Sequence, residues 1–517
     1  MASEDELAQQ IEDQVAEWSS NSNECLNISV VRGDGSEHAS FQPAFTYPIF
    51  GDEEVIFGYQ DLAINLTFAA HDLRPHLEVK YGKKFPEMGD VKPTDVKEAL
   101  QDFLPAEAFH KKPNSEKDSN VAAWTPPGDK IHEYTRDGEK YEIWCASLTD
   151  TAAKEVLENM QILVPMFIEG GTTLQLDQDW TTRRWKLFLS YQVNEPAEGT
   201  SPYAFVGFGT SYRIFTFPDR KNPDQRELKL LSSDETAQAK VNASSPEEFL
   251  ASLQTDTVET PLDLPSRERL SQFLILPTFQ GGGHGQHLYN AMYTTLTAMP
   301  NVREFTVEDP NEAFDELRDL CDLRHLRATN PAFASLKVNT NVPAEKLKPT
   351  SQVPTELIIS GTDEILRQSK IDSRQFGRLV EMQTLSRIPP THRSRNRITK
   401  KERSTNEHDK EYYFWRLYAK HRLYVFNRDP LMQLDLEERP EKVESALDSV
   451  LEGYVSMLEK VEAREQGIET VGSASKRASR KRKVIDDEDE DEEWEDEDED
   501  DDETVAHDRL KKARISR

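Results

Sequence analysis

The chain has 517 residues, 36% of them hydrophobic and 31% charged, and its formal net charge is −32. That length exceeds what one compact core encloses and predicts two or three domains. Between Asp486 and Glu503 every residue except Trp494 is a carboxylate; setting these aside leaves about −15, which excludes a nucleic-acid coat, because such a protein needs a basic face.

Cys25, Cys145 and Cys321 are sparse and follow no metal spacing, as expected in a reducing compartment. No apolar run approaches the roughly 18 to 20 residues of a membrane span. The stretch Ile162 to Ile168 is among the longest, and Pro165 interrupts it. Met1 to Leu7 is acidic and lacks a secretory core, so an intracellular protein is expected.

Short strands and turns are predicted from Cys25 to Phe68, with Leu26 to Val31 alternating and Tyr47 to Gly51 ending in turn chemistry. Leu77 to Tyr81 reads as a strand and Val96 to Phe103 as a helix, and His110 to Lys130 has the composition of a long surface loop. Ala152 to Met160 is helical, and Leu163 to Phe167 either continues it or forms a buried strand. Trp185 to Gln192, Tyr203 to Phe208 and Ser211 to Phe217 are three successive strands. Lys221 to Pro265 loses its apolar content and reads as a mobile insertion. Strand character returns at Gln272 to Leu276 and again at Glu304 to Val307. Beyond Asp315 helices dominate: Gln375 to Ser386, Tyr412 to Phe426 and Val443 to Ala463 carry apolar residues at three- and four-residue spacing. From Gly467 onward disorder is expected.

The sharpest motif is the run Leu276-Pro277-Thr278-Phe279-Gln280-Gly281-Gly282-Gly283-His284-Gly285-Gln286. It follows an apolar strand and opens a helix with Leu288, Ala291, Met292 and Leu296 on one face. Strand, glycine loop and helix together aim unpaired backbone N–H groups at an anion, and a pyrophosphate is a natural guest. A nucleotide-hydrolase loop needs a following Lys-Ser/Thr, and none is present. A dinucleotide fingerprint needs a third glycine where Gln286 stands. The Gln/Arg-x-x-Gly-x-Gly/Ala signature of acetyl-CoA-dependent N-acetyltransferases is met by Gln280, Gly283 and Gly285, although a glycine-rich turn without a ligand gives the same six residues.

The wider segment Gln272 to Gly285, with Phe305-Thr306-Val307-Glu308-Asp309-Pro310 downstream, resembles the catalytic subunit of type B histone acetyltransferases. So do Ile49 to Glu54 with Phe57-Gly58-Tyr59, Phe167-Ile168-Glu169, and Phe205 to Phe208, in the family's order over roughly residues 25 to 325. The resemblance implies an α/β fold: an N-terminal mixed α/β domain that binds substrate (1–150) and a central GNAT-type acetyltransferase domain with a mixed sheet (151–325). The helical C-terminal domain (326–466) resembles the family's by composition, and the basic and acidic tail (467–517), expected to be disordered from its composition, departs from the family pattern.

It also implies chemistry. A lysine amine is protonated at neutral pH, with a reference pKa of about 10.4, so acetyl transfer needs a base. Glu308 and Asp309 end a strand before Pro310, and adjacent positions point oppositely, so one of the pair faces the amine. The resemblance selects Glu308 and brings Glu169 to the same cleft as a helper or alternative base, where its apolar neighbours predict partial burial. Acetyl-CoA is expected along the backbone of Phe273, Leu274 and Ile275, with the phosphates at Gln280, Gly281, Gly282, Gly283, His284, Gly285 and Gln286. His284 is expected beside the phosphates or capping the helix. Asn311 either bonds the pantetheine arm or forms a turn. Direct attack without an acyl-enzyme is expected, and no metal.

Asp52, Glu53 and Glu54 match the family's contact with the substrate tail. Tyr212, Arg213 and Ile214 align with another, although Arg213 and Ile214 depart from the polar and aromatic residues of the pattern. The implied substrate is the N-terminal tail of newly made histone four, and the implied partner a histone-binding WD-repeat propeller. Lys476-Arg477 and Arg480 to Lys483 form a cluster of nuclear-import type, so both nucleus and cytoplasm are expected. Arg393 to Arg403 is a second basic stretch, suited to an acidic partner or to nucleic acid; no specific nucleic-acid target and no membrane are expected. Two other readings stay open: a noncatalytic chaperone holding histones through its acidic tail, and an acetyl-CoA enzyme acting on a different amine.

Overall fold

The computed structural model describes residues 15–89, 91–110, 121–176, 178–195, 197–216, 265–347 and 354–465. Nearly all of the Lys221–Pro265 stretch, the basic cluster and the acidic run lie outside the described residues.

Strands β1 (Leu26–Val31), β2 (Glu37–Phe41), β3 (Ala63–Ala69) and β4 (Pro75–Lys80) form a four-stranded sheet in the order β2-β1-β3-β4, with β1 and β3 parallel. Period-two patterning sets its inner face: Leu26, Ile28 and Val30 are buried beside Ile64, Leu66 and Phe68.

A hairpin of β5 (Asp129–Arg136) and β6 (Glu139–Ser147) follows. Its turn residues Asp137 and Gly138 both take positive φ (51° and 88°), as tight Asp-Gly hairpins require. This hairpin belongs to the central sheet, so that sheet begins upstream of the expected boundary at 151. Helix α1 (Thr151–Met160) is capped by the Asp150 carboxylate, which accepts from the Ala152 amide at 2.9 Å. The run Leu163–Phe167 is a short helix, α2.

Next come β7 (Trp185–Val193), β8 (Tyr203–Phe215), β9 (Ser266–Ile275) and, after helix α3 (His284–Thr297), β10 (Val302–Val307). The two strands expected at 203–208 and 211–217 are one continuous strand. The six-stranded order is β10-β9-β8-β7-β6-β5, antiparallel throughout except for β9 and β10, which α3 joins as a crossover. The longest helices of the C-terminal part are α4 (Glu312–Thr329), α5 (Ser373–Ser386), α6 (Glu407–Phe426) and α7 (Glu438–Glu465).

Each face of the central sheet has its own core. On one, Phe188, Val206, Leu270 and Phe305 meet Leu288, Met292 and Leu296 of α3, and this core runs on into Phe376, Trp415 and Val461 of the C-terminal helices. On the other, Leu187, Tyr191, Phe208 and Leu274 meet α1, α2 and the N-terminal sheet. The C-terminal helices are tied together by the buried Glu381 carboxylate of α5, which accepts from Arg422 of α6 (2.6 and 2.8 Å) and Tyr454 of α7 (2.8 Å). Within the basic stretch, Arg395 pairs with Glu444 and Asp448 (3.2 and 3.3 Å) and Arg397 with Asp409 (3.0 Å), so part of that charge faces acids of the same chain.

Candidate active site

The sheet opens where β9 parts from β10. Their parallel pairing runs from Ser266 opposite Val302 to Leu270 opposite Val307, and its last bond is the Glu308 amide donating to the Leu270 carbonyl at 2.9 Å. Asp309 then takes a φ of 35° and Pro310 has no N–H, so the ladder cannot continue. At the same level β9 bulges: Leu270 faces Ser211 and Phe273 faces Gly209, leaving Ser271 and Gln272 together opposite Thr210.

Beyond the bulge Phe273, Leu274 and Ile275 pair only with β8. The Leu276 amide donates to the Val206 carbonyl (2.9 Å), so alternation turns the backbone groups of Phe273 and Ile275 toward the edge that β10 has left. One is already used, since the Ile275 carbonyl accepts from Gln280 Nε2 at 2.9 Å. The side chains are structural: Phe273 packs edge-on against Phe314 of α4 (5.1 Å), and Leu274 and Ile275 are buried.

The glycine loop lies at the end of this edge. Gly281 and Gly283 take φ of 80° and 88°, a region that favours glycine, and Gly283 is the N-cap of α3. Among the described residues the Gly281, Gly282 and Gly283 amides donate no hydrogen bond, and the first helical amides have no intrahelical partner. A Cβ at Gly282 would come within 3.0 Å of the His284 ring, so the loop rests directly on that imidazole. His284 is buried, with Nδ1 hydrogen bonded to the Tyr134 hydroxyl of β5 at 2.8 Å. Burial lowers its pKa and keeps it neutral. His284 is thus a buried support beneath the loop, and the residue at the N-cap position is Gly283. Gln286 is half-buried and its amide closes onto the Gly283 carbonyl (3.0 Å).

Glu308 sits at the splay with both oxygens held. Tyr212 donates to Oε1 at 2.9 Å, Ser271 donates to Oε2 at 2.7 Å, and Arg269 Nη1 lies 3.7 Å from Oε1. About a third of the side chain is exposed (35%), so the carboxylate remains reachable. Asp309 is exposed and has left the strand. Glu169 is exposed too: the partial burial expected from Phe167 and Ile168 is not found, because the chain turns outward at Gly170 (φ 70°). Its segment is nevertheless anchored, with the Gly170 amide donating to Tyr47 Oη (3.4 Å) and the Thr172 carbonyl accepting from Gln272 Nε2 (2.9 Å).

The acidic turn divides in role. Asp52 and Glu53 are exposed. Glu54 is committed within the fold: Oε1 accepts the Thr46 and Tyr47 amides (2.6 and 3.1 Å) and Oε2 the Asn23 side chain (2.7 Å). Of the three residues on β8, Tyr212 faces Glu308, and Ile214 shares its side. Arg213 points oppositely and is buried, paired with Glu268 at 2.8 Å, so it does not reach the cleft surface. Asn311 is the N-cap of α4, its Oδ1 accepting the Phe314 amide at 2.9 Å, which is the turn role.

Sequence reasoning missed two neighbours of Glu308, Ser271 and Arg269, and also Trp185, whose ring stacks on Tyr212 at 4.6 Å. Among the described residues no group of three or more His, Cys, Asp or Glu has metal-site geometry, and no helix is long and apolar enough to cross a membrane.

Comparison with known proteins bears on what this arrangement is. A family model described as the histone acetyl transferase HAT1 N-terminus matches residues 18–169. A histone acetyltransferase type B catalytic subunit of Aspergillus fumigatus is 38% identical over 476 residues, 88% of this chain and 79% of the relative. The chain belongs to the family of type B histone acetyltransferase catalytic subunits. Its counterpart in Gibberella zeae is 38% identical over 484 residues, 89% of this chain and 94% of the relative, and that of Candida albicans is 29% identical over 449 residues. The family model stops at Glu169, whereas these matches cover most of the chain.

Proposed function

We propose that the chain transfers acetyl from acetyl-CoA to the ε-amine of lysines in the N-terminal tail of free, newly made histone four, by direct attack in a ternary complex with Glu308 as the base. The observation that carries this reading is the placement of a doubly hydrogen-bonded, reachable carboxylate at the end of β10, where it parts from β9, the strand that leads into the glycine loop.

The residues fit an acyl-CoA. The free amides of Gly281 to Gly283 and the start of α3 would hold the pyrophosphate, and a side chain at Gly282 would press on the His284 ring and push that cradle out of place. The open backbone edge at Phe273 and Ile275 would pair with the amide-rich arm, and an N–H there would favour negative charge developing on the carbonyl oxygen. Acetyl-CoA supplies the activated acyl group as a substrate; the chain supplies position and a proton acceptor. Glu308 takes the proton from the lysine nitrogen directly or through one water, while Tyr212 and Ser271 fix the plane of its carboxylate. Glu169 and Asp309, exposed nearby in sequence or on the same cleft, serve as helpers rather than as the base.

Asp52 and Glu53 would attract a lysine-rich tail across the exposed turn. A histone-binding WD-repeat propeller is the proposed partner, and nucleus and cytoplasm are the proposed compartments. The test is direct: purified chain, acetyl-CoA and a histone-four tail peptide, with lysine acetylation followed by mass spectrometry. Acetylated lysines support the reading. Acetyl-CoA turnover on small amines but not on the peptide would replace the substrate, and tight tail binding without transfer would replace the enzyme with a chaperone.

A further inference from the structure

The bulge in β9 does more than end a ladder. Before it, Leu270 points into the core shared with α3; after it, Leu274 and Leu276 belong to the opposite core, while Ile275 belongs to the first. The extra residue has switched the phase of the strand. As a result Ser271 and Gln272, neighbours in sequence, both turn toward the side that carries Tyr212 and Glu308. In an unbulged strand they would point to opposite faces.

Each of the two has a partner there. Ser271 Oγ donates to Glu308 Oε2 at 2.7 Å, and Gln272 Nε2 donates to the Thr172 carbonyl at 2.9 Å. Gln272 is buried, with its amide also donating to Thr210 Oγ1 at 3.1 Å, so the bulge is braced on the strand it distorts. Ser271 thus rides on a fixed piece of backbone. The Glu308 side chain has no comparable brace: it follows the last ladder bond, and the next residue is already in a left-handed turn. Tyr212 alone fixes one oxygen and leaves the carboxylate free to rotate about it; a second donor on the other oxygen fixes the plane.

We propose that Ser271 is a positioning residue, which holds the Glu308 carboxylate in the orientation that receives the lysine proton. The proposal rests on Glu308 acting as the base. Ser271 contributes no proton to the reaction and touches neither substrate; its hydroxyl sets the direction of the acceptor lone pairs.

The experiment uses the full chain with acetyl-CoA and the histone-four tail peptide, comparing the native protein, Ser271→Ala, Ser271→Thr, Glu308→Gln and the double variant Ser271→Ala/Glu308→Gln. Ser271→Ala is expected to lower kcat by roughly tenfold or more, the scale of a misdirected reacting group, while the KM for acetyl-CoA stays within about twofold. Ser271→Thr, which keeps the oxygen on a side chain suited to a strand, is expected to return most of the rate. In the Glu308→Gln background the same Ser271→Ala change is expected to cost less than about twofold, because a residue that acts only through another has nothing left to position. Thermal midpoints of all variants control for folding. Full kcat in Ser271→Ala, or a loss that multiplies in full with that of Glu308→Gln, would overturn the positioning role. A Glu308→Gln variant that keeps its rate removes the base and the proposal together, whereas an inactive Glu308→Gln beside a fully active Ser271→Ala removes the proposal alone.

Discussion

Gln272 Nε2 and the Thr172 carbonyl are hydrogen bonded at 2.9 Å, joining two stretches of chain a hundred residues apart. Through that bond the bulged strand that carries Ser271 is fastened to the segment that follows Glu169, and the same segment reaches the N-terminal turn through Tyr47. Replacing Gln272 with Ala leaves the carbonyl without its partner. The expected cost is about 1–3 kcal/mol of stability, together with a higher KM for the tail peptide than for acetyl-CoA relative to the native chain. Chemical denaturation and steady-state kinetics would check both.

Gly282→Ala sets a methyl within 3.0 Å of His284, whose ring is pinned by Tyr134 and cannot swing away without losing that bond. The loop must rise instead, so acetyl-CoA affinity should fall by roughly tenfold, with overall stability reduced by about 1 kcal/mol or more. Calorimetric titration with acetyl-CoA measures the first. Adding His284→Ala to Gly282→Ala should return part of the affinity, because the obstruction is then gone.

Arg213 is buried and paired with Glu268. Its removal strands the buried Glu268 carboxylate, whose pKa burial already raises. Arg213→Ala is expected to lower stability by about 3–5 kcal/mol, as for other buried pairs broken from one side. Any soluble fraction should bind the tail peptide with nearly native affinity, which a fluorescence titration would show.

Asp322 makes the fold sensitive to pH. It is buried between Tyr289 of α3 (2.9 Å) and Gln375 of α5 (3.1 Å), and burial raises its pKa to about 7. An acid whose folded pKa lies above its unfolded value is protonated in both states at low pH, and ionises first in the unfolded chain. Its contribution to stability therefore falls as pH rises from about 4 to about 7 and is level above that. Asp322→Asn should gain on the native protein across that window, as thermal midpoints at pH 5 and 7.5 would show.

Much of this architecture is written in local pattern. The glycine loop, its flanking strand and helix, the alternating β1 and the long C-terminal helices follow from periodicity, because each depends on neighbours close in sequence. The β5–β6 hairpin was equally accessible through Asp137-Gly138, yet the polar composition upstream reads as loop. The unbroken β8 was hidden at Gly209, where the expected strands part, although Gly209, like Gly207 within the first of them, is a packing residue. A Cβ at Gly207 would meet the Leu274 carbonyl at 2.6 Å, and one at Gly209 the Met292 sulfur at 2.6 Å. Tertiary roles were the hardest to read. Glu54 and Arg213 look like surface charge, and only their partners, the Thr46 amide and Glu268, tie the first into the fold and bury the second. Ser271 carries no signal at all, because its direction is set by a bulge that no short-range pattern marks.

Glu308 is proposed as the base of an acetyl transfer carried out at the splay of β9 and β10. The most direct measurement is kcat for histone-four tail acetylation by Glu308→Gln at saturating acetyl-CoA, beside calorimetric binding of acetyl-CoA to the same variant. A rate lower by roughly a hundredfold or more with acetyl-CoA affinity unchanged is the predicted result. A native rate in a variant that binds acetyl-CoA normally would contradict it and move the proton acceptor to Glu169 or Asp309.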